Sequence, residues 1–159
     1  MEYARWKGIS SSEMIQVMQN PPKDFLEETS VVNEEDFYAV LDLAEQNLKD
    51  DLLGIYLGKF LNLNALGLIY RISLQATTVE EALHYLQTYL NTTFPIIEIK
   101  TIINESLATI QLAIQNKQIT LNRIILEYAL TVMSRELSMM TAEQAQIRLY
   151  SPFYGTTYP

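Results

Sequence analysis

There is no cysteine in this chain and only one histidine, His84. The first absence excludes disulfides, Fe–S clusters and thiol chemistry. The second leaves no recognised spacing from which a zinc site or a histidine-based triad could be assembled. Basic residues are also in the minority, 11 Lys and Arg against 19 Asp and Glu. The resulting formal charge of -8 repels a phosphate backbone over most of the surface and argues against nucleic acid as a partner of this chain by itself. No run approaches the ~20 apolar residues that a membrane span requires. The N-terminus, MEYARWKGISSSEM, has no apolar h-region, so neither a membrane anchor nor a signal peptide is expected, and a cytoplasmic address is permitted.

What is present reads as one folded unit. A chain of 159 residues buries roughly 70% of its unfolded surface on folding. At 48% hydrophobic and 19% charged residues, it lies away from the composition of disordered chains. Ser10 to Asn20 reads as a short helix capped by Ser10, Ser11 or Ser12 and stopped by Pro21 and Pro22. Asn33 caps the next, with Glu34 to Asp36 at its positive end and Phe37, Val40, Leu41, Ala44 and Leu48 as its stripe. A third helix begins at Asp50 or Asp51, with Leu52, Leu53, Tyr56, Leu57, Phe60 and Leu61 turned inward. Its Gly54 and Gly58 share a face, and each costs about 1 kcal/mol against alanine in a helix, so another backbone is expected to come close there.

Further on, Leu66 to Gln75 reads as a short apolar helix. Thr78 then caps a new one through the T-x-x-E pattern with Glu81, while Thr77 with Glu80 offers the same arrangement one residue earlier. The stripe of that helix is Val79, Ala82, Leu83, Leu86, Tyr89 and Leu90, with His84 and Thr88 on the far side and Pro95 beyond its end. From Ile96 the period becomes two, and IIEIKTIINESLATIQLAIQ predicts a β-hairpin turning at Asn104, Glu105 and Ser106. Leu121 to Met140 is a long helix whose apolar arc covers roughly 200° and predicts cover on two sides. QIRLYSP reads as a further strand. The fold class is α+β, several helices packed on a small antiparallel sheet containing a central β-hairpin. Residues 1–32 are expected to form an N-terminal helical segment and linker, and residues 33–159 the main domain.

Candidate chemistry is sparse. GIYLGKF is one residue short of a phosphate loop and carries Phe60 where that motif needs Ser or Thr. The acidic pairs at Glu34 to Asp36 and at Glu80 and Glu81 occupy first helical turns, where capping and the helix dipole account for them. No catalytic group, metal site or cofactor is expected. Ten tyrosines against five phenylalanines offer apolar rings with polar tips, suited either to a core boundary or to the wall of a small-molecule cavity. The ligand-binding candidates on this ground are Tyr56, Tyr70, Tyr89 and Tyr128, with Arg71, a cation inside the apolar LGLIYRISL. Leu126, Leu130 and Leu137 form a second apolar stripe on the long helix and are the candidates for a homodimer interface.

The run FYAVLDLAEQNLKDDLLGIYLGKFLNLNALGLIYRISLQATTVEEALHYLQTYLN, followed by the hairpin, LNRIILEYALTVMSRELSMM and IRLYSP, resembles the N-terminal effector domain of AraC-type transcription regulators. The resemblance extends from about Asn33 to Pro152, and its most specific piece is LGL, an apolar helix, a small Ser/Thr joint and EAL. It implies a bacterial cytoplasmic ligand-sensing domain that binds a small-molecule effector and governs a C-terminal pair of helix-turn-helix motifs, through which alone DNA would be contacted. On this resemblance the DNA-binding half is absent, and the effector domain is expected to be cut short after SPFYGTTYP. The alternative reading is a dimerisation scaffold without a ligand of its own.

Overall fold

The computed structural model of the chain describes residues 2–23, 31–61, 75–104, 107–114, 119–140 and Arg148. Helices α1 (Glu2–Trp6), α2 (Ser11–Gln16), α3 (Glu34–Leu48), α4 (Leu53–Phe60) and α5 (Val79–Thr93) precede an antiparallel hairpin of β1 (Glu98–Asn104) and β2 (Leu107–Ala113), and α6 (Ile119–Met140) follows. This is the expected α+β architecture. The helix expected over Leu66–Gln75 lies, but for Gln75, outside the described residues, as does the strand expected in QIRLYSP.

The starts with a side-chain cap fall among the expected residues because each is a local hydrogen-bonding problem, with Ser10 chosen from the three serines and Thr78 over Thr77. By contrast α4, which has no side-chain cap, begins at Leu53 and not at Asp50 or Asp51, and α6 begins at Ile119, ahead of Leu121. Ser10 caps α2 in a capping box with Glu13. Asn33 caps α3, its Oδ1 accepting from the Asp36 amide at 2.8 Å. Thr78 caps α5, its Oγ1 accepting from the Glu81 amide at 3.1 Å, while the Glu81 carboxylate reaches past the cap to the Thr77 amide at 2.9 Å.

Stop signals are less local. Helix α2 ends at Gln16, short of the prolines, because the next amides have a better acceptor elsewhere. Asp36, fully buried, accepts from the Gln19 amide at 2.6 Å, the Asn20 amide at 3.0 Å and the Asn33 side chain at 2.7 Å. One carboxylate thereby ties the end of α2 to the start of α3. Tyr3, Ile9 and Met14 accordingly lie in the same core as Tyr38, Leu41 and Ala44.

The centre of the molecule is α6, which touches α3, α4 and α5. Ile124, Ile125, Ala129 and Met133 face the core that Leu53, Leu90, Ile97 and Ile99 complete. Helix α4 lies on α6 with the two chains running in the same direction, Gly54 against Ile124 and Glu127, and Gly58 against Tyr128 and Thr131. The expectation of a close backbone at these glycines holds. A Cβ on Gly58 would lie 2.6 Å from Thr131 Cβ, and one on Gly54 would lie 2.7 Å from Glu127 Cβ and closer still to the Ile124 carbonyl.

Two inward assignments fail. Phe60 is 48% exposed and Val79 44% exposed, whereas Ile55, on the glycine face of α4, is buried. Phe60 instead lies under α1, its ring 5.1 Å from Tyr3 and 5.7 Å from Trp6. Val79 is the first residue of α5, ahead of the buried run Ala82, Leu83, Leu86 and Leu90.

The hairpin pairs Glu98 with Ala113 through Asn104 with Leu107. Asn104 is therefore a strand residue, and the turn is two residues long, not three. Ile99 is buried and Ile110 and Leu112 are half-buried against the core, giving the expected alternation, while Ile102, Ile103 and Leu107 reach beyond it into solvent.

Because the obstacle at Gly54 is backbone, Gly54→Ala is expected to lose more from overpacking, ~1–3 kcal/mol, than the ~1 kcal/mol that alanine gains in a helix. Gly58→Val should cost more than Gly54→Ala, since it drives three carbons into Thr131. Both appear as a lowered thermal midpoint by circular dichroism, at roughly 2–4 °C per kcal/mol for a chain of this size.

Candidate functional site

The polar chemistry of the interior is concentrated on α6, where Asn122, Glu127, Thr131 and Glu136 are all buried. Helical geometry sorts them. Glu127 and Thr131, four residues apart, face α4. The Thr131 hydroxyl donates to the Glu127 carbonyl at 2.8 Å. The Glu127 carboxylate lies over the first turn of α4, with Oε2 2.9 Å from where a Gly54 Cβ would stand, and Oε1 is 3.7 Å from Arg123 Nε. Arg123 in turn reaches Asp51 at 3.8 Å.

Two turns further along α6, Arg135 Nη1 donates to the carbonyls of Gly58 and Leu61 at the other end of α4. The two helices run the same way, so α6 offers an acid to the positive end of α4 and a cation to its negative end, the arrangement the macrodipole favours. Asn122 accepts from the Tyr38 hydroxyl at 3.4 Å, linking α6 to α3.

Glu136, unlike Glu127, has no cation within ion-pairing distance among the described residues. It is 0% exposed, and neither carboxylate oxygen has a hydrogen-bond partner among the described residues. Removal from water pushes its carboxyl up to about 7, against a smaller opposing pull from the Arg135 guanidinium. Sequence reasoning missed both buried acids. The wide apolar arc of α6 was legible, and an acid inside such an arc was the available signal.

Of the tyrosines named as ligand candidates, Tyr56 and Tyr128 are described, and each packs against another ring. Tyr56 is half-buried, its ring 5.6 Å from Tyr3 and stacked at 22°. Tyr128 is half-buried, its ring 5.8 Å from Phe94, which meets Phe37 edge-on. Tyr70 and Arg71 lie outside the described residues, as does the side chain of Tyr89. Leu126, Leu130 and Leu137 are half-buried on α6. His84 is exposed on the outer face of α5, as its place off the stripe predicts. Between the end of α5 and β1 an open depression of about 530 Å³ is lined by Asn91, Pro95, Ile96, Ile97, Glu98 and Ile99. It is a surface feature rather than an enclosed cavity.

The raised Glu136 carboxyl makes stability depend on pH with a definite sign. Below its ordinary value of 4.5 the acid is neutral in both states and the fold keeps its full stability. As pH rises from there through about 7 the folded protein holds a proton that the unfolded chain has released, and stability is lost. Glu136→Gln is therefore expected to leave the thermal midpoint near pH 4 almost unchanged and to raise stability near pH 8 by ~1–3 kcal/mol, the scale of one uncompensated buried polar group. Parallel melting curves at the two pH values check this.

Among the described residues no group of three His, Cys, Asp or Glu could hold a metal ion, and no helix is long and apolar enough to cross a membrane. A search of curated proteins returned no match. The family model described as the arabinose-binding domain of AraC transcription regulators, N-terminal, matches residues 8–149. That span takes in the described residues from α2 through α6. The chain therefore belongs to the family of N-terminal arabinose-binding domains of AraC transcription regulators, a regulatory and not an enzymatic family.

Proposed function

We propose that this domain senses a small-molecule effector in the bacterial cytoplasm and transmits its presence to a C-terminal helix-turn-helix domain, without catalysis and without a cofactor of its own. The observation that carries the reading is the family match across residues 8–149. The charge supports it, since an acidic sensor half leaves the basic DNA-contacting surface to another domain. The candidates for ligand contact remain Tyr56 and Tyr128, which are described, together with Tyr70, Arg71 and Tyr89. The mechanism is a population shift, in which the effector binds one packing of the helical layer more tightly than another and biases domain arrangement by ~1–3 kcal/mol. The Thr77–Thr78 joint, where α5 begins from a capped end, is a place for two helices to shift together.

A ligand that binds only the folded state must raise its stability, by ~2.7 kcal/mol at a hundredfold excess over Kd. A panel of sugars, amino acids and fatty acids is expected to contain at least one compound that raises the thermal midpoint by roughly 5 °C or more at saturation. Absence of any shift across the panel would count against the sensor reading.

The half-burial of Leu126, Leu130 and Leu137 in the single chain favours a second reading, a homodimer that completes their cover. Light scattering is expected to show a dimer that Leu130→Glu splits. A monomer at high concentration removes the dimer and leaves effector binding untouched.

A further inference from the structure

The acidic chain gathers a small basic and aromatic face at its N-terminal end. Trp6 is 69% exposed and stacks on Phe60 at 5.7 Å and 28°, and Phe60 is itself half open to solvent. Tyr3 lies beneath, 5.1 Å from Phe60 and 5.6 Å from Tyr56. Lys7 holds its ammonium 5.1 Å from the Trp6 ring centre and 5.6 Å from that of Tyr3. Arg5 and Lys59, the chain neighbours of Trp6 and Phe60, are exposed.

Among the described residues no carboxylate lies within ion-pairing distance of Arg5, Lys7 or Lys59. Asp50, the nearby acid, is engaged by the Tyr3 hydroxyl at 3.0 Å and the Leu52 amide at 3.0 Å. Three basic side chains at this end thus make no ion pair among the described residues, in a protein with 19 acids. Trp, Tyr and Arg are the residues enriched in binding hot spots, and large exposed aromatic surface is uncommon where it has no partner.

We propose that the Trp6–Phe60 face, with Lys7 over the Trp6 ring and the exposed Arg5 and Lys59 next to the two rings in sequence, docks an acidic amphipathic peptide segment of a partner protein. Apolar side chains of the segment would cover the two rings, and its carboxylates would meet the three cations. Charge decides against the other occupants. A second copy meeting this face with its own would oppose like charges. A basic DNA-binding domain would be repelled, and an extended nucleic acid would run from a small positive face onto a surface of net charge -8.

Trp6 is the single tryptophan of the chain, so its fluorescence reports the contact directly. The probe is a short synthetic helical peptide without tryptophan, bearing glutamate on one face and leucine and phenylalanine on the other. Titration into the wild-type chain is expected to shift Trp6 emission to the blue, to saturate, and to weaken with added salt. Lys7→Glu should weaken binding roughly fivefold or more, by loss of one attraction and gain of one repulsion. Arg5→Glu should act in the same direction. Melting curves identify any variant that has lost its fold, and two independent charge reversals keep the test open if one does. The proposal is overturned by an unchanged emission, by equal affinity in folded Lys7→Glu and Arg5→Glu, or by equally tight binding of a lysine-for-glutamate peptide or a single-stranded oligonucleotide.

Discussion

The close parallel contact of α4 with α6 is the constraint on which the rest of the molecule depends. Two glycines let the helices approach until Gly54 meets the Ile124 carbonyl and Gly58 meets Thr131. At that separation, side chains from α6 can reach the backbone of α4 instead of packing on its side chains. Glu127 and Arg135 are eight residues apart, about 12 Å along a helix, and α4 is eight residues long. The acid therefore falls over one end and the cation on the other. Leu52 gives α4 no side-chain cap, and an isolated helix of this length is marginal in water. Electrostatic support from α6 takes the place of capping.

The same contact explains which residues the sequence misplaces. Leu53, Tyr56, Leu57 and Phe60 follow the spacing of an apolar stripe, and the usual rule turns such a stripe inward. The rule assumes that the buried face is the one with large side chains. In α4 the most intimate contact is made by the face without side chains, so Ile55 and both glycines are buried and Phe60 turns toward α1. The glycine spacing was legible, because a helical glycine has a cost that something must repay. The identity of the partner helix was not, since that depends on α6, some 70 residues away in sequence.

Local signals carried further than nonlocal ones elsewhere too. Asn33, Ser10 and Thr78 solve hydrogen-bonding problems within three residues of themselves; Asn33 caps where the sequence places it, and Ser10 and Thr78 are each one of the neighbouring residues it offers. The hairpin was legible from its period. Asp36 was read only as a first-turn acid suited to the dipole. It is that, and also the acceptor for two amides at the end of α2, which no spacing rule connects to it. Glu127 and Glu136 stand inside an apolar arc wide enough to predict burial on two sides, yet an isolated acid in such a pattern reads as an interruption of the stripe.

Buried acids on a central helix are weak evidence for stability, because well-packed apolar residues in their place are often neutral or better. Their distribution on α6 is informative for another reason. Glu127 lies against the start of α4 with Arg123 3.7 Å away, so it is part of how α4 is held. Glu136 has no ion pair among the described residues, only the weaker pull of Arg135, and desolvation pushes its carboxyl up to about 7. One helix thus carries a buried acid paired with Arg123 and a buried acid whose carboxyl is raised by desolvation. Because α6 also touches α3 and α5, a change at Glu136 acts on the element that joins all three layers of helix. A domain whose work is to respond to its surroundings needs states separated by only a few kcal/mol. A buried carboxyl near the C-terminal end of the longest described helix narrows that separation in a way that Leu or Met at the same position would not.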